Sequence, residues 1–163
     1  MRKKKFNYYL DLLRRGNHDG LRKIYYCYYK KMVVAAEKIT LSYFTAKEVV
    51  SDFFEYVTEN IGTLPNIANP VAWMKEQIES RAIESVRTQI GKITMETFPK
   101  HTEAQKELAQ IVAQLTDEEK ELVILHYGYG YSFKKVAKIV RLPVRDIKII
   151  IESIFLKFQK KRE

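Results

Sequence analysis

The chain has 163 residues, enough for one medium domain or two small ones. Because 46% of its residues are hydrophobic and 30% are charged, it can build a core, and its composition excludes an intrinsically disordered chain. Six glycines and four prolines leave few positions for β-turns, which predicts an all-α fold.

The net charge of +9 is unevenly distributed. Residues 14–38 hold seven basic and two acidic side chains, and residues 131–163 hold ten and three. Residues 46–86 reverse the balance, with seven acidic and three basic side chains. This distribution indicates a polyanionic partner for the basic segments and a second, basic partner for the middle. The alternative is that these charges are solvated helix faces without a partner.

The sequence also bears on the cellular compartment. Asp11, Arg14 and Arg15 interrupt the apolar run that follows the basic N-terminal residues, so we expect no signal peptide. No apolar run approaches the length of a membrane span. Cys27 is the single cysteine, so it has no partner for an internal disulfide and no nearby ligands for a metal. These features predict a cytoplasmic protein.

Hydrophobic periodicity in the first half predicts four helices, at about residues 7–15, 19–40, 45–60 and 70–89. The second has apolar residues at three- and four-residue steps from Leu21 to Ile39, a stripe one helix face wide. The tyrosine cluster at 25–29 lies on this helix. We interpret it as core and core edge, and a platform on which bases stack is the alternative.

Two of these helices have start signals. Thr45 and Glu48 form a capping box, in which the hydroxyl and the carboxylate accept hydrogen bonds from free amide groups. Asn69 is a cap residue and Pro70 suits the first helical position. Residues 61–68 between them are predicted to form a loop.

The second half begins with a segment that lacks apolar periodicity, residues 91–103, which predicts a linker. We therefore expect two small helical domains, 1–90 and 104–163. Helices are predicted at about 103–115, from a capping box at Thr116 to Tyr127, from Ser132 as N-cap to Val140, and at 144–161.

The last two predicted helices, joined by 141–143, have the pattern of a helix-turn-helix. At about 3.6 residues per turn, one arc of the final helix is apolar and is expected to pack on Val136, Val140 and Leu142. Its members are Ile147, Ile150, Ile151, Ile154, Phe155 and Phe158.

The opposite arc is expected to point outward and consists of Arg145, Lys148, Ile149 and Glu152. There Ile149 can contact a thymine methyl group, and the two cations can reach bases or phosphates. A helix pair that binds protein is the alternative.

Catalytic and metal-binding patterns are weak. His18, His101 and His126 lie in different elements and lack the spacing of a helical metal site. The carboxylate pairs Glu48/Asp52 and Asp117/Glu121 have nothing near them in sequence that suggests an acid/base dyad. We therefore expect a protein that is not an enzyme and has no cofactor.

Residues 115–158, "LTDEEKELVILHYGYGYSFKKVAKIVRLPVRDIKIIIESIFLKF", resemble the C-terminal domain of bacterial RNA polymerase sigma factors. The segment "TAKEVVSDFFEYV" resembles the sigma segment that docks on the clamp helices of the polymerase. The segment "NPVAWMKEQIESRAIESVR" resembles the helix that handles the downstream promoter box. Since no third domain lies between them, the chain resembles the two-domain extracytoplasmic-function type.

The resemblance implies core RNA polymerase and promoter DNA as partners, and it allows an anti-sigma protein as a third. Residues 46–58 would dock on polymerase through Glu48 and Asp52. Val49 and Phe53 are assigned to the same docking segment, with intradomain core as the alternative.

The resemblance also implies two DNA-contacting regions. The candidate strand contacts near the downstream box are Lys75, Arg81 and Arg87, and Trp73 in that helix is interpreted as core. In the C-terminal domain, Arg145, Lys148, Ile149 and Glu152 would read the upstream box, with Lys134 and Lys135 on phosphates.

The chain departs from the family pattern at several positions. Glu79 and Ser80 stand where the family often has an Arg-Asn pair, and Arg141 stands where it usually has glycine at the helix-turn-helix corner. Glu79, Ser80 and Ile149 favour an alternative function, a sigma-derived DNA-binding regulator or protein-interaction module that does not itself support initiation. A small nucleic-acid enzyme is a further alternative, and the lack of a clustered acid, base or metal set argues against it.

Overall fold

The computed structural model describes residues 1–92 and 102–162, and of residues 104, 105, 108, 161 and 162 it describes the backbone alone. Throughout these ranges the chain forms helices, turns and loops, without a β-strand. The predicted all-α fold is confirmed for this part of the chain.

Eight α-helices follow one another in the described ranges: α1 (Lys3–Arg14), α2 (Asp19–Thr40), α3 (Tyr43–Glu59), α4 (Pro70–Gly91), α5 (Glu103–Ala113), α6 (Asp117–Val123), α7 (Phe133–Val140) and α8 (Val144–Arg162). A π-helical turn, Ile124–Gly128, continues α6. The chain divides into two compact units, Met1–Val86 and Arg87–Glu163, so the boundary falls within α4. Most of the predicted linker, residues 93–101, lies outside the described residues.

The core of the first unit is built around aromatic rings from four helices. Phe6 of α1 meets Tyr28 of α2 edge-on, with ring centroids 6.1 Å apart. Trp73 of α4 packs edge-on against Phe6 at 6.3 Å and against Phe53 of α3 at 5.5 Å. Trp73 is partly buried, and its ring joins α4 to α1 and α3, so it is a packing residue at the edge of the core.

Close approach of α1 and α2 depends on Gly20. A Cβ atom at this position would overlap the carbonyl oxygen of Tyr9, so any larger residue would force the two helices apart.

Polar side chains of α1 hold the loop that precedes α4. Asn7 Nδ2 donates to the carbonyl oxygen of Ile67 at 3.0 Å, and Ile67 N donates back to Asn7 Oδ1 at 2.8 Å. Arg14 donates to the carbonyl oxygens of Ile61 and Leu64 at 3.3 and 2.6 Å. These bonds satisfy loop carbonyls that have no helical partner and fix the start of α4 against α1.

The structure corrects one predicted helix cap and confirms three others. It also places the start of α1 at Lys3, before the predicted residue 7. The cap of α3 is Ser42, whose Oγ accepts from Thr45 N at 3.2 Å, so the prediction of Thr45 as the cap is wrong. Leu41, in the left-handed region at φ 54°, ends α2 and leaves Ser42 extended in the cap position. The capping interactions predicted for Asn69, Thr116 and Ser132 are present.

In the second unit, α8 packs against α7, and three of its isoleucines face inward. Ile147, Ile151 and Ile154 are buried, as are Val136 and Ile139 of α7.

The prediction was wrong for Phe155 of the apolar arc and for Leu142, on which the arc was expected to pack. Leu142 is 40% exposed and Phe155 is 49% exposed. Leu142 lies in the turn between α7 and α8, directly after the left-handed Arg141. Ile150 and Phe158 are only partly buried. Phe158 lines an apolar cavity of about 470 Å³ together with Ile151, Ile154 and Phe155.

An ion pair ties α6 to α8. Lys157 Nζ lies 2.8 Å from Glu119 Oε1, while the other oxygen of the same carboxylate accepts from the backbone of Thr116 at 3.1 Å in the capping box. The hydrogen bond from Lys157, followed by that from Thr116, holds the pKa of Glu119 below its usual value.

Replacing Arg141 by glycine should stabilise the protein. Arg141 has φ 58° and ψ 41°, a left-handed conformation that costs a residue with a Cβ about 1 kcal/mol. We therefore expect Arg141→Gly to raise the free energy of unfolding by about 0.5–1 kcal/mol, measured by urea unfolding followed by circular dichroism. Lys138→Gly, inside α7, is the control and should lower stability by about 1 kcal/mol. A loss of stability in Arg141→Gly would contradict the role of backbone strain.

Candidate nucleic-acid and protein interfaces

The outward arc of α8 is solvent-exposed as predicted. Arg145, Lys148, Ile149 and Glu152 are all exposed, and Ile149 keeps 53% of its surface accessible. Lys148 Nζ lies 5.8 Å from the ring centroid of Phe133 at the start of α7. The arc therefore presents two cations, an aliphatic group and a carboxylate side by side.

The two lysines predicted to contact phosphate are placed differently. Lys134 is exposed at the start of α7. Lys135 is partly buried, with Nζ 4.1 Å from the ring centroid of Tyr131. Of the two, Lys134 has the greater freedom to reach an external anion.

His126, to which the sequence assigned no role, supports the start of α7. Its Nδ1 lies 2.7 Å from the carbonyl oxygen of Tyr131, which indicates that this nitrogen carries the proton and donates. Its ring stacks on Phe133 with centroids 4.1 Å apart and planes 15° apart. The π-helical turn lies just before the corner that leads into α7. In it, Tyr129 N donates to Ile124 O at 2.9 Å, a bond that spans one residue more than in an α-helix.

Tyr131 is buried at the same corner. Its side chain is 4% exposed, and its hydroxyl makes no hydrogen bond among the described residues. Burial, with a smaller contribution from Tyr129, raises the pKa of Tyr131 from 10.0 to about 12.

The three candidate strand contacts on α4 are all engaged within the chain. Lys75 lies 3.8 Å from Glu79. Arg81 is partly buried, with its guanidinium 4.5 Å from the ring centroid of Tyr56. Arg87 donates from Nε and Nη2 to the two carboxylate oxygens of Glu121. None of the three is presented as a free cation.

The candidate docking face of α3 separates into buried and exposed residues. Glu48 and Asp52 are exposed, one turn apart. Val49 and Phe53 are 4% and 1% exposed, so the core alternative holds for them and they are not available to a partner. A shallow groove of about 410 Å³ is lined by Phe44, Lys47, Glu48, Ser51 and Asp52.

Four residues of this face were missed in the sequence. Tyr43 and Phe44 are 58% and 71% exposed in the first turn of α3. They were missed because the helix was predicted to start at Thr45, after them. Glu55 and Glu59 are exposed and continue the Glu48/Asp52 stripe at helical spacing, a signal that the sequence contained.

Metal-binding and membrane-spanning features are both lacking in the described ranges. Within this part of the chain, no group of three or more His, Cys, Asp and Glu side chains is arranged to hold a metal ion. None of the helices described combines the length and the apolar character needed to cross a bilayer.

Tyr131 should make stability fall at high pH. Because the pKa of Tyr131 is raised in the folded state, the unfolded chain loses the phenolic proton first as the pH rises. The contribution of this group to the free energy of unfolding is therefore fully present below about pH 10 and is lost as the pH approaches 12. We expect Tyr131→Phe to be neutral or stabilising at pH 7 and to remove up to about 2 kcal/mol of this decline. Urea unfolding at pH 7, 10 and 11, with Tyr8→Phe as an exposed control, measures it. An identical decline in Tyr131→Phe and the parent would contradict the assignment.

No protein-family model matches the chain, and no curated protein matches its sequence. Its function is therefore inferred from its own residues and their arrangement.

Proposed function

We propose that this protein is a sigma factor of the two-domain, extracytoplasmic-function type, which binds core RNA polymerase and directs it to specific promoters. Such a protein recruits an enzyme and performs no chemical step itself. The observation that carries the proposal is the presence, in one chain, of an acidic face on α3 and a basic, exposed arc on a helix that follows a short turn.

In this proposal α7 and α8 are a helix-turn-helix and α8 is the recognition helix. The turn between them is three residues long and contains the left-handed Arg141, which occupies the position of the family's usual glycine. A recognition helix needs an inner face that packs and an outer face that stays polar and accessible. Ile147 and Ile151 on the inner face and Arg145 and Lys148 on the outer face meet both requirements.

The docking face in this proposal consists of Glu48 and Asp52 flanked by the exposed ring of Phe44. Carboxylates beside an exposed aromatic ring suit a partner that supplies basic side chains around an apolar patch. Burial of Val49 and Phe53 supports this use, because it fixes the helix and so orients the carboxylates outward.

One observation favours the alternative, a sigma-derived regulator that binds DNA without supporting initiation. The cations of α4 that would hold the separated strand are paired within the chain, Lys75 with Glu79 and Arg87 with Glu121. Strand contacts would require these pairs to break, which weakens promoter opening relative to promoter binding.

In vitro transcription with core polymerase and a library of randomised promoters tests the proposal. Promoter-dependent transcripts that need this chain would support a sigma factor. Binding to polymerase or DNA without transcripts would support the regulator. If the chain binds neither polymerase nor DNA and yields no transcripts, both the sigma-factor proposal and the regulator proposal are overturned.

Charge reversal on α3 should abolish polymerase binding. We expect the double variant Glu48→Lys, Asp52→Lys to lose binding, because each charge pair across a partly desolvated interface contributes about 1–3 kcal/mol and reversal makes it repulsive. A pull-down with core polymerase measures binding, and circular dichroism should show unchanged helix content. Glu76→Lys with Glu84→Lys, the same charge change on exposed positions of α4, is the matched control. Full binding by the folded α3 variant would refute the docking face.

Two substitutions should separate base recognition from phosphate contact in the second unit. Arg145→Ala should weaken binding to the preferred sequence by about 1–3 kcal/mol and relax preference at one position, if it grips a guanine edge. Lys134→Ala should weaken all sequences alike and reduce the salt slope by about one unit. Fluorescence anisotropy with specific and scrambled duplexes measures both. Unchanged affinity and preference in Arg145→Ala would mean that this arc is not the reader.

A further inference from the structure

The outward face of α2 has a basic and aromatic surface that neither docking nor promoter reading uses. Its residues lie within a little over two turns and are all exposed: Lys23, Tyr26, Lys30 and Lys31. Tyr26 keeps 77% of its surface accessible, more than any other large hydrophobic side chain described. Lys23 and Lys30 lie three residues before and four residues after Tyr26, so these three share one helix face. Lys31 follows Lys30 directly and points about 140° away from Tyr26 around the helix, so it borders this face and does not lie on it. We call these four residues the α2 surface.

The charges of the α2 surface are uncompensated. None of Lys23, Lys30 and Lys31 makes an ion pair among the described residues. The two acids of α2 lie at its ends: Asp19 pairs with Arg22 at 3.3 Å, and Glu37 lies well beyond Lys31. The middle of the helix therefore presents three cations without a carboxylate between them, and this favours an anionic partner.

The aromatic part of the α2 surface is held by the core. Tyr25 packs against buried Phe54 at 5.1 Å and stacks on Tyr29 at 4.5 Å. Tyr26 meets Tyr25 edge-on at 6.1 Å, with the ring planes 83° apart. Tyr26 is thus supported at an edge, and its ring remains largely open to solvent. Of the cluster interpreted from the sequence as core and core edge, Tyr28 is buried and Tyr26 is exposed.

We propose that the α2 surface binds single-stranded nucleic acid, with a base stacked on Tyr26 and phosphates contacted by Lys23, Lys30 and Lys31. An unstacked base offers a free face to a tyrosine ring, whereas the bases of a duplex are already stacked on one another. A membrane-binding helix would need a broad apolar face. The structure describes the whole of α2, and Val34 is its one exposed aliphatic residue, so α2 lacks such a face. The inference goes beyond promoter recruitment and does not depend on polymerase.

The test measures binding of the full chain, without polymerase, to a labelled oligothymidine of about 20 nucleotides by fluorescence anisotropy. Tyr26→Ala should weaken binding about tenfold, and Tyr26→Phe, which keeps a ring, should bind like the parent. The triple variant Lys23→Gln, Lys30→Gln, Lys31→Gln should weaken binding. It should also reduce the slope of the logarithm of the binding constant against the logarithm of the salt concentration by about two, at roughly 0.7 for each phosphate that a lysine no longer neutralises.

Two control variants distinguish binding at the α2 surface from a general effect of the chain's positive charge. Tyr8→Ala removes another exposed tyrosine, and Lys106→Gln removes an exposed lysine of the second unit, so both should bind like the parent. Circular dichroism checks that each variant folds. The same measurements with duplex DNA and with vesicles containing phosphatidylserine identify the ligand class.

The outcomes are distinct. Parent-like binding of the oligonucleotide by folded Tyr26→Ala, or by the triple lysine variant, would overturn the proposal. So would a loss confined to vesicles, which would assign the surface to anionic lipid. Failure of polymerase recruitment would leave this measurement unaffected, so the two proposals fail separately.

Discussion

The contact of Trp73 with Phe6 and Phe53 is the interaction on which the first unit depends. The half-buried ring of Trp73 contacts both the first and the third helix and so joins the fourth helix to them. Phe53 and Phe54 both face inward. Asp52 lies about 100° from the first and about 160° from the second around the helix, and it therefore points outward. The acidic stripe of α3 is therefore a consequence of how its apolar side is packed.

The second unit orients its candidate DNA-binding arc through the corner before α7 and the turn after it. Ser132 caps α7, and His126 anchors the residues on either side of it by stacking on the ring of Phe133 and donating to the carbonyl of Tyr131. Arg141 then turns the chain into α8. Both features cost stability. The corner before α7 buries the hydroxyl of Tyr131 without a partner among the described residues. The turn after α7 places Arg141, a residue with a Cβ, in a left-handed conformation.

The first unit has oppositely charged faces on helices that pack against each other. α2 presents Lys23, Lys30 and Lys31, while α3 presents Glu48 and Asp52. Because each group of charges lies on its own helix, the two surfaces can bind partners of opposite charge.

The sequence by itself determined the helices, because a stripe of apolar residues and a cap are local features. It predicted α2 from Asp19 to Thr40 and the caps at Asn69, Thr116 and Ser132, and it predicted that Arg145, Lys148, Ile149 and Glu152 point outward. Only the tertiary structure decided which polar and aromatic side chains remain available. Arg87 is paired by Glu121, 34 residues away, Val49 and Phe53 are covered by neighbouring helices, and Tyr26 is left exposed beside buried Tyr28. Those outcomes depend on contacts between residues distant in the chain, which local periodicity does not encode.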